Sequence, residues 1–261
     1  MRLITKFLTM ATLVLGLTVS TANADLEDIL NAGVVRIAVP LDVPVYGFLD
    51  ENQEPAGIDI DIARKVAKAL GVKLELTQIT GMNRIPYLIT KKADLVISVM
   101  GASDSRAKSI MFTSPYSAIL AGVFGPAKIG LLTDLSEVGD LSIAVPRGTT
   151  QDMWITELHP DGNIIRFEDD ASAAAAFVSG QADLIGTANI VAMDIAKKHP
   201  DMEVEYIYIQ GKASTHMGVR QGEFALLQWL NNFIYNMTLK GDLDELHQKW
   251  MKVDFPELPT F

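Results

Sequence analysis

The residues best suited to chemistry in this chain lie between positions 93 and 116, in the run ADLVISVMGASDSRAKSIMFTSPY. Ser103 is a predicted helix N-cap, and Arg106 falls within the first turn that follows it. A cation there opposes the helix dipole unless an anion joins the backbone N–H groups at the same end. The spacing therefore predicts a turn that holds a carboxylate. A surface arginine paired with Asp104 is the alternative that the spacing alone leaves open.

The sequence lacks the residue patterns that catalysis or metal binding commonly requires. It has no cysteine, no G-x-S-x-G turn and no phosphate loop. Its four histidines are scattered without metal-ligand spacing, and a structural role is expected for His216. The adjacent acids Asp169 and Asp170 are typical of a solvated turn. We therefore expect no catalytic centre, no metal site and no cofactor.

Alternating strand and helix patterns must position these residues. Residues 58–70 (IDIDIARKVAKAL) carry apolar side chains at helical spacing and end at Gly71. Short apolar blocks on either side predict strands, and strands that alternate with helices predict a parallel sheet. The predicted elements in this half are strands at 34–39, 73–78 and 95–99, helices at 58–70 and 85–91, and a hairpin near 50–52.

Two short segments recur in the same order, which indicates an internal repeat. RIAVP at 36–40 returns as SIAVP at 142–146, and ADL at 93–95 returns at 182–184. The chain therefore encodes two similar α/β lobes. The predicted elements after residue 140 are helices at 150–158, 171–179, 224–239 and 243–251 and strands at 163–167, 203–209 and 215–220, the last two separated by a break at Gly211.

Residues 1–24 combine a basic start, an apolar centre and an Ala-Asn-Ala end, which predicts a cleaved secretory signal peptide. The chain has 22 Lys and Arg against 32 Asp and Glu, a net charge of −10. Without Arg2 and Lys6 of the signal, the net charge of the mature chain falls to −12. Such a surface repels nucleic acids and anionic membranes, so neither is expected as a partner.

Several ordered motifs give the chain a family resemblance. It resembles the bacterial extracellular solute-binding proteins of family 3, the polar amino acid receptors of ABC importers, and the match spans essentially the whole mature chain. The motifs that carry it are GIDIDI at 57–62, ADLV at 93–96, Arg106, FTSPY at 112–116, GTTQ at 148–151, and GDL at 241–243 followed by Lys249 and Trp250.

The resemblance implies an α/β fold of two similar lobes joined by hinge strands, of the periplasmic-binding-protein or Venus-flytrap type. The crossovers would fall near 117–122 and 213–218. Lobe 1 would then comprise residues 25–118 and 216–261, and lobe 2 residues 119–215. The implied protein is a periplasmic monomer that closes on its ligand and presents the closed form to ABC permease subunits at the inner membrane.

By the same resemblance, Arg106 would hold the ligand carboxylate, and Thr149 and Thr150 would close on it from lobe 2. Both threonines also suit an ordinary N-cap. Tyr46 is similar to an aromatic residue that stacks on the ligand, with core packing as the alternative. The full set of candidate ligand-binding residues is Asp42, Tyr46, Arg84, Ser98, Met100, Gly101, Arg106, Arg147, Thr149, Thr150 and Asn189.

Arg84 lies in an N-R-I-P run that resembles acidic amino acid receptors, in which this arginine reaches the ligand side chain; an exposed helix arginine is the alternative. Two departures from the family pattern stand out. Gly101 replaces a usual Ser or Thr, and the usual ammonium-binding aspartate is missing, with Asn189 one place further on. Either Asp42, which resembles a residue facing the ligand amino group together with Ser98, supplies the charge, or the ligand is not a plain α-amino acid.

The implied function is capture of a small polar solute in the cleft between the lobes, namely an acidic or polar amino acid or a related carboxylate. The alternative is a periplasmic enzyme on the same fold, similar to cyclohexadienyl or arogenate dehydratases, which also clamp carboxylates with arginine. Incubation with prephenate or arogenate separates the two. A sensing module for a signalling partner is a third, weaker fit.

Overall fold

An eight-stranded sheet and a small three-stranded sheet lie within residues 25–258, the part of the chain that the computed structural model describes. The predicted signal peptide, 1–24, lies outside the described residues. The strands are β1 Val34–Val39, β2 Asp42–Val43, β3 Gly47–Leu49, β4 Pro55–Ala56, β5 Lys73–Gln78, β6 Leu95–Met100, β7 Ile110–Pro126, β8 Ile143–Pro146, β9 Ile164–Phe167, β10 Leu184–Ala188 and β11 Val204–Arg220. The helices are α1 Asp25–Ala32, α2 Ile58–Leu70, α3 Arg84–Ile89, α4 Asp104–Ala107, α5 Thr150–Leu158, α6 Asp170–Val178, α7 Asn189–Lys198, α8 Phe224–Leu239 and α9 Asp242–Trp250.

The predicted α/β class with two similar lobes is confirmed. The sheet order is β5-β1-β6-β11-β7-β10-β8-β9. We call β5, β1 and β6 with their helices the first lobe, and β10, β8 and β9 with theirs the second lobe. Within each lobe the strand pairs are parallel, because each strand returns to the sheet through a helix. The small sheet β2-β3-β4 contains the predicted hairpin.

The sequence repeat has a structural counterpart in a backbone contact that each lobe makes. In the first lobe, the carboxylate of Asp94 accepts a hydrogen bond of 2.9 Å from the backbone N–H of Arg36. In the second lobe, Asp183 accepts one of 2.9 Å from the backbone N–H of Ser142. Each aspartate therefore ties the start of one strand to the start of its parallel neighbour, which explains why the ADL and IAVP segments recur together.

Two long strands, β7 and β11, pass between the lobes. They pair antiparallel along their whole length, from Ile110 opposite Arg220 to Pro126 opposite Val204. The predicted crossover segments, 117–122 and 213–218, lie within this ribbon and pair with each other at Ser117–Thr215, Ala118–Ser214 and Ile119–Ala213. The lobe boundaries drawn there stay a prediction.

The sequence was misleading at Gly211. A break was expected between strands at 203–209 and 215–220, but β11 is continuous from Val204 to Arg220. Gly211 has a φ of +129°, a conformation that glycine tolerates, and the pairing register shifts between Ile209 and Gly211. The glycine therefore accommodates an irregularity within a strand and does not end it.

Helix α2 shows why the signature motif matters for packing. The side chains of Ile58, Ile62 and Val66 are fully buried against the first-lobe sheet. The helix ends at Gly71, which has a left-handed φ of 71° and donates its N–H to the carbonyl of Lys68. Asp59, in the first turn of α2, is also fully buried. Its hydrogen-bond partners lie at the candidate site.

Candidate functional site

A small cavity lies where the first lobe, the second lobe and the two long strands meet. Its volume is about 20 Å³, room for about one water molecule, so the walls nearly touch. Arg84, Val99 and Gly101 line it from the first lobe, Thr150 and Asp170 from the second, and Thr215 from β11. Gly101, Thr150 and Asp170 follow the carboxyl ends of β6, β8 and β9, the usual position of a ligand in an open α/β sheet.

Arg106 lies on the first-lobe side of this junction. As predicted, Ser103 caps the short helix α4 and accepts a hydrogen bond of 3.3 Å from the backbone N–H of Arg106. The side chain of Arg106 is buried, and its Nη1 donates to the carbonyl of Gly101 at 2.7 Å. The alternative of an exposed arginine paired with Asp104 is therefore wrong.

The Arg106 guanidinium also bridges to the second lobe. Its Nη1 donates to Oγ1 of Thr150 at 3.2 Å, and its Nη2 donates to the carbonyl of Gly148 at 2.8 Å. Within residues 25–258, it forms no ion pair with a carboxylate. Burial and the positive charge of Arg84 lower the pKa of Arg106 to about 9. An anion bound at this position would offset that penalty.

Arg84 is a second buried cation beside the first. It begins α3, its side chain is almost entirely buried, and its Nε donates to Oγ of Ser98 at 3.2 Å. Burial lowers its pKa, while the charges of Asp170 and Asp42 oppose that shift. The alternative of a solvent-exposed helix arginine is therefore wrong. Ser98 is itself fully buried, and its hydroxyl serves as the acceptor for Arg84.

The second-lobe wall is the N-terminus of α5. Thr149 is its N-cap: its hydroxyl accepts from the N–H of Asp152 at 3.2 Å and donates to the carbonyl of Pro146 at 2.8 Å. Thr150 is thereby free to point its hydroxyl at Arg106. The GTTQ segment thus both caps α5 and contacts the Arg106 guanidinium. The N-terminus of α5 itself favours a bound anion.

Gly101 permits the two walls to approach. A Cβ atom added at this position would lie 2.8 Å from Oγ1 of Thr150, closer than real Cβ contacts allow. The larger Ser or Thr expected there by family resemblance would push Thr150 away from Arg106. Glycine at position 101 therefore allows the close contact between the lobes.

Two acidic side chains lie on the opposite side of Arg84. Asp42, from β2, accepts a hydrogen bond of 2.9 Å at Oδ2 from the backbone N–H of Asp170, the first residue of α6. Burial and the nearby charge of Asp42 raise the pKa of Asp170 to about 7. The prediction of a solvated turn is wrong for Asp170, which lines the cavity. Asp169 is the N-cap of α6 and accepts from the N–H of Ser172 at 2.7 Å.

Seven of the eleven predicted site residues do not line the cavity, namely Asp42, Tyr46, Ser98, Met100, Arg106, Arg147 and Asn189. Tyr46 is fully buried in the core, with its hydroxyl 2.7 Å from Oγ of Ser117. Met100 is also fully buried, and Asn189 accepts a hydrogen bond of 3.2 Å from the backbone N–H of Leu120 in β7. Arg147 is exposed beside an outer pocket of about 500 Å³ that Arg84 and Arg106 also reach.

Asp59 positions the first-lobe wall from behind. Its Oδ1 accepts from the hydroxyl of Tyr116 at 2.8 Å, and its Oδ2 accepts from the backbone N–H of Val99 at 3.0 Å. Val99 has a φ of +42°, which is strained for a β-branched residue. The buried carboxylate therefore holds the bent end of β6, between Ser98 and Gly101, in place. Sequence reasoning matched the motif but missed this role.

Thr215 is a cavity residue that sequence reasoning did not single out. Its side chain is buried, and its hydroxyl has no hydrogen-bond partner among the described residues. The sequence feature that could have identified Thr215 is its place within the predicted crossover at 213–218. His216 beside it is paired as a structural histidine, with Nδ1 2.7 Å from the carbonyl of Thr113 and Nε2 2.9 Å from Oγ of Ser214.

Residues 25–258 contain neither a metal-binding cluster nor a membrane-spanning helix. No group of three or more His, Cys, Asp or Glu side chains there could hold a metal ion. None of the helices in that range is long and apolar enough to cross a bilayer.

Comparisons with known proteins identify the family of the chain and support its fold. The family model for bacterial extracellular solute-binding proteins, family 3, matches residues 35–253. The chain is 29% identical over 232 residues to the ABC transporter glutamine-binding protein GlnH of Bacillus subtilis, covering 84% of this chain and 82% of that protein.

Two solved structures show the same architecture. The solute receptor for L-cysteine of Neisseria gonorrhoeae has a TM-score of 0.82 at 28% identity, covering 90% of this chain and 100% of that one. The ancestral amino acid-binding protein AncCDT-1, a precursor of cyclohexadienyl dehydratase, has a TM-score of 0.76 at 30% identity, covering 86% and 98%.

The buried Asp59 gives a testable pH dependence of stability. Burial raises its pKa from 3.8 to about 7. Between these values the folded chain binds more protons than the unfolded chain, so the free energy of unfolding falls as pH rises and levels off above about 7. We expect Asp59→Asn, which cannot titrate, to show a shallower fall in urea unfolding between about pH 5 and about pH 7.5.

The matched control is Asp61→Asn. Burial opposes the shift, but hydrogen bonds from Lys249 and Trp250 lower the pKa of Asp61 overall, so its contribution is lost only below about pH 4. This variant should therefore keep the wild-type slope between about pH 5 and about pH 7.5. Identical slopes for wild type and Asp59→Asn would contradict the assignment.

Proposed function

The chain belongs to the bacterial extracellular solute-binding proteins, family 3, and we propose that it binds an amino acid between its lobes as the receptor of an ABC importer. The observation that carries this proposal is the buried Arg106, which has hydrogen-bond partners from both lobes and no ion pair to a carboxylate within residues 25–258. The named relatives that bind glutamine and cysteine support the amino acid class.

The ligand carboxylate pairs with Arg106 in this proposal. The carbonyls of Gly101 and Gly148 are neutral acceptors, whereas a carboxylate offers charge-assisted hydrogen bonds to both guanidinium nitrogens. Thr150 and the N-terminus of α5 reach the same anion from the second lobe. One bound group thus contacts both walls.

Capture depends on movement of the lobes. The cavity of about 20 Å³ is too small for an amino acid, so the ligand enters when the walls are apart. Because Arg106 and Thr150 belong to different lobes, a ligand held by both favours the closed arrangement. Bending of β7 and β11 near 117–122 and 213–218 moves lobe 1 (25–118 and 216–261) relative to lobe 2 (119–215).

Arg84 narrows the class of ligand. Together with Arg106 it places two buried guanidinium groups at one junction, which suits a ligand with a second anionic or strongly accepting group. An acidic or polar amino acid fits best. The receptor works as a monomer in the periplasm after loss of residues 1–24, and it delivers its ligand to permease subunits in the inner membrane.

Binding of an amino acid should raise thermal stability. We expect one or more members of a panel of the standard amino acids and L-cystine to raise the unfolding midpoint, with L-glutamate and L-glutamine as the leading candidates. At 100 times its dissociation constant a ligand adds about 2.7 kcal/mol, which corresponds to roughly 5–10 °C for a protein of this size. Calorimetric unfolding scans of the protein purified from the periplasm measure this shift, and no shift with any member would overturn the proposed function.

Loss of the Arg106 guanidinium should abolish binding without unfolding the protein. Arg106→Ala removes two charge-assisted hydrogen bonds, for which we expect a loss of affinity of about 100-fold or more in titration calorimetry. The matched control is Arg64→Ala, which removes an exposed arginine that pairs with Asp61 on the surface. Near wild-type affinity in Arg106→Ala, with an unchanged circular dichroism spectrum, would contradict the role of Arg106.

The chain acts without chemical turnover in this proposal. AncCDT-1, the solved relative tied to a dehydratase, is itself described as an amino acid-binding protein. We therefore expect no aromatic product when the protein is incubated with prephenate or arogenate and the mixture is followed by ultraviolet absorption. Formation of phenylpyruvate or phenylalanine above the uncatalysed rate would instead establish the enzyme.

A further inference from the structure

A bound α-amino acid brings a positive charge into the cavity as well as a carboxylate. Its ammonium group loses water on closure and needs an acceptor there, preferably a charged one. Ala188, at the position where the family resemblance leads one to expect an aspartate, lines the cavity but has no polar side chain. The amide oxygen of Asn189, the next residue, already accepts a hydrogen bond from the backbone N–H of Leu120. The acceptor must be found elsewhere on the wall.

Three buried or half-buried carboxylates surround the site, and only their placement distinguishes them. Both oxygens of Asp59 are engaged behind the wall, by Tyr116 and by the N–H of Val99. Asp42 holds the N–H of Asp170 and lies toward the outer groove beside α6. Asp170 also borders that groove, but of these three carboxylates it is the one that lines the cavity.

We propose that Asp170 holds the ligand's α-ammonium group, so that the site selects ligands with a free primary amine; this inference rests on the proposed function. Its backbone is fixed by the hydrogen bond from its N–H to Asp42. Among the described residues Asp170 forms no ion pair with a cation within 4.0 Å, although Arg84 lines the same cavity. The two opposite charges therefore face the cavity without neutralising each other directly.

Among the charges near Asp170, Asp42 and Asp169 favour a bound cation and Arg84 opposes it. Asp42 adds a second negative charge close by and, after burial, is the strongest influence that raises the pKa of Asp170. An ammonium group bound here relieves that repulsion and keeps Asp170 ionised. Arg84, which lines the same cavity, and Arg106, which contacts the cavity residues Gly101 and Thr150, supply positive charge for the ligand carboxylate.

Matched ligands with and without the amine test this assignment. The pairs are L-glutamate and glutarate, L-glutamine and 5-amino-5-oxopentanoate, and L-arginine and 5-guanidinopentanoate. Titration calorimetry of the periplasmic protein compares wild type with Asp170→Asn, which keeps the size of the side chain and the backbone N–H. We expect the variant to lose about 30-fold or more in affinity for the amino acid and to change little toward its amine-free partner.

Asp169→Asn is the matched control, because it removes the same charge one residue earlier and asparagine still caps α6. It should retain the wild-type preference for the amine. Two results would overturn the role of Asp170 while leaving the proposed function intact: a preference that survives in Asp170→Asn, or an equal loss toward both members of a pair. If wild type binds neither member of any pair, this assignment and the choice of ligand class both fail.

Discussion

Removing a guanidinium group from water is the constraint around which this site is arranged. Arg106 is buried, its pKa is lowered to about 9, and the acceptors that it reaches are two carbonyls and one hydroxyl. Neutral acceptors stabilise a cation less than a carboxylate does. Burial of this cation therefore lowers the stability of the protein without ligand. A bound anion relieves that penalty, and the relief strengthens binding.

The residues around Arg106 serve its placement. Ser103 fixes the short helix on which it lies, and Gly101 keeps the space that lets Thr150 approach. Behind them the buried Asp59 holds the strained end of β6 through Val99. Strain and buried charge both lower the free energy of unfolding. The preformed binding wall of the first lobe therefore makes the protein less stable.

Local patterns predicted most elements well, because periodicity and capping depend on neighbours in sequence. Helix α2 and its end at Gly71, strand β5, helix α8 and the N-cap at Ser103 are as expected. The repeated ADL and IAVP segments correctly indicated two similar lobes, since each repeat contains the same aspartate-to-backbone contact. The break predicted at Gly211 failed because strand pairing with β7 overrides a local glycine signal.

The site was less predictable, because contacts between the lobes depend on tertiary placement. Asp169 and Asp170 together are typical of a surface turn. The sequence around Asp170 does not show that its backbone N–H donates to Asp42, which is 128 positions away. Tyr46 shows the converse, since an aromatic residue in a promising loop lies in the core. Arg84 was recognised as a candidate, but its burial follows from α3 packing against the end of β6, which spacing does not reveal.

The ribbon of β7 and β11 also restricts how the two halves of the molecule can move. Each strand has 17 residues, and the two remain hydrogen-bonded from end to end. Because neither strand can slide past the other without breaking that ladder, the remaining freedom is rotation about an axis across both strands. Of the four register shifts in this pairing, the one between Thr215 and His216 lies beside the cavity. A rotation centred there would displace the outer rims of the two halves much further than the residues that line the cavity.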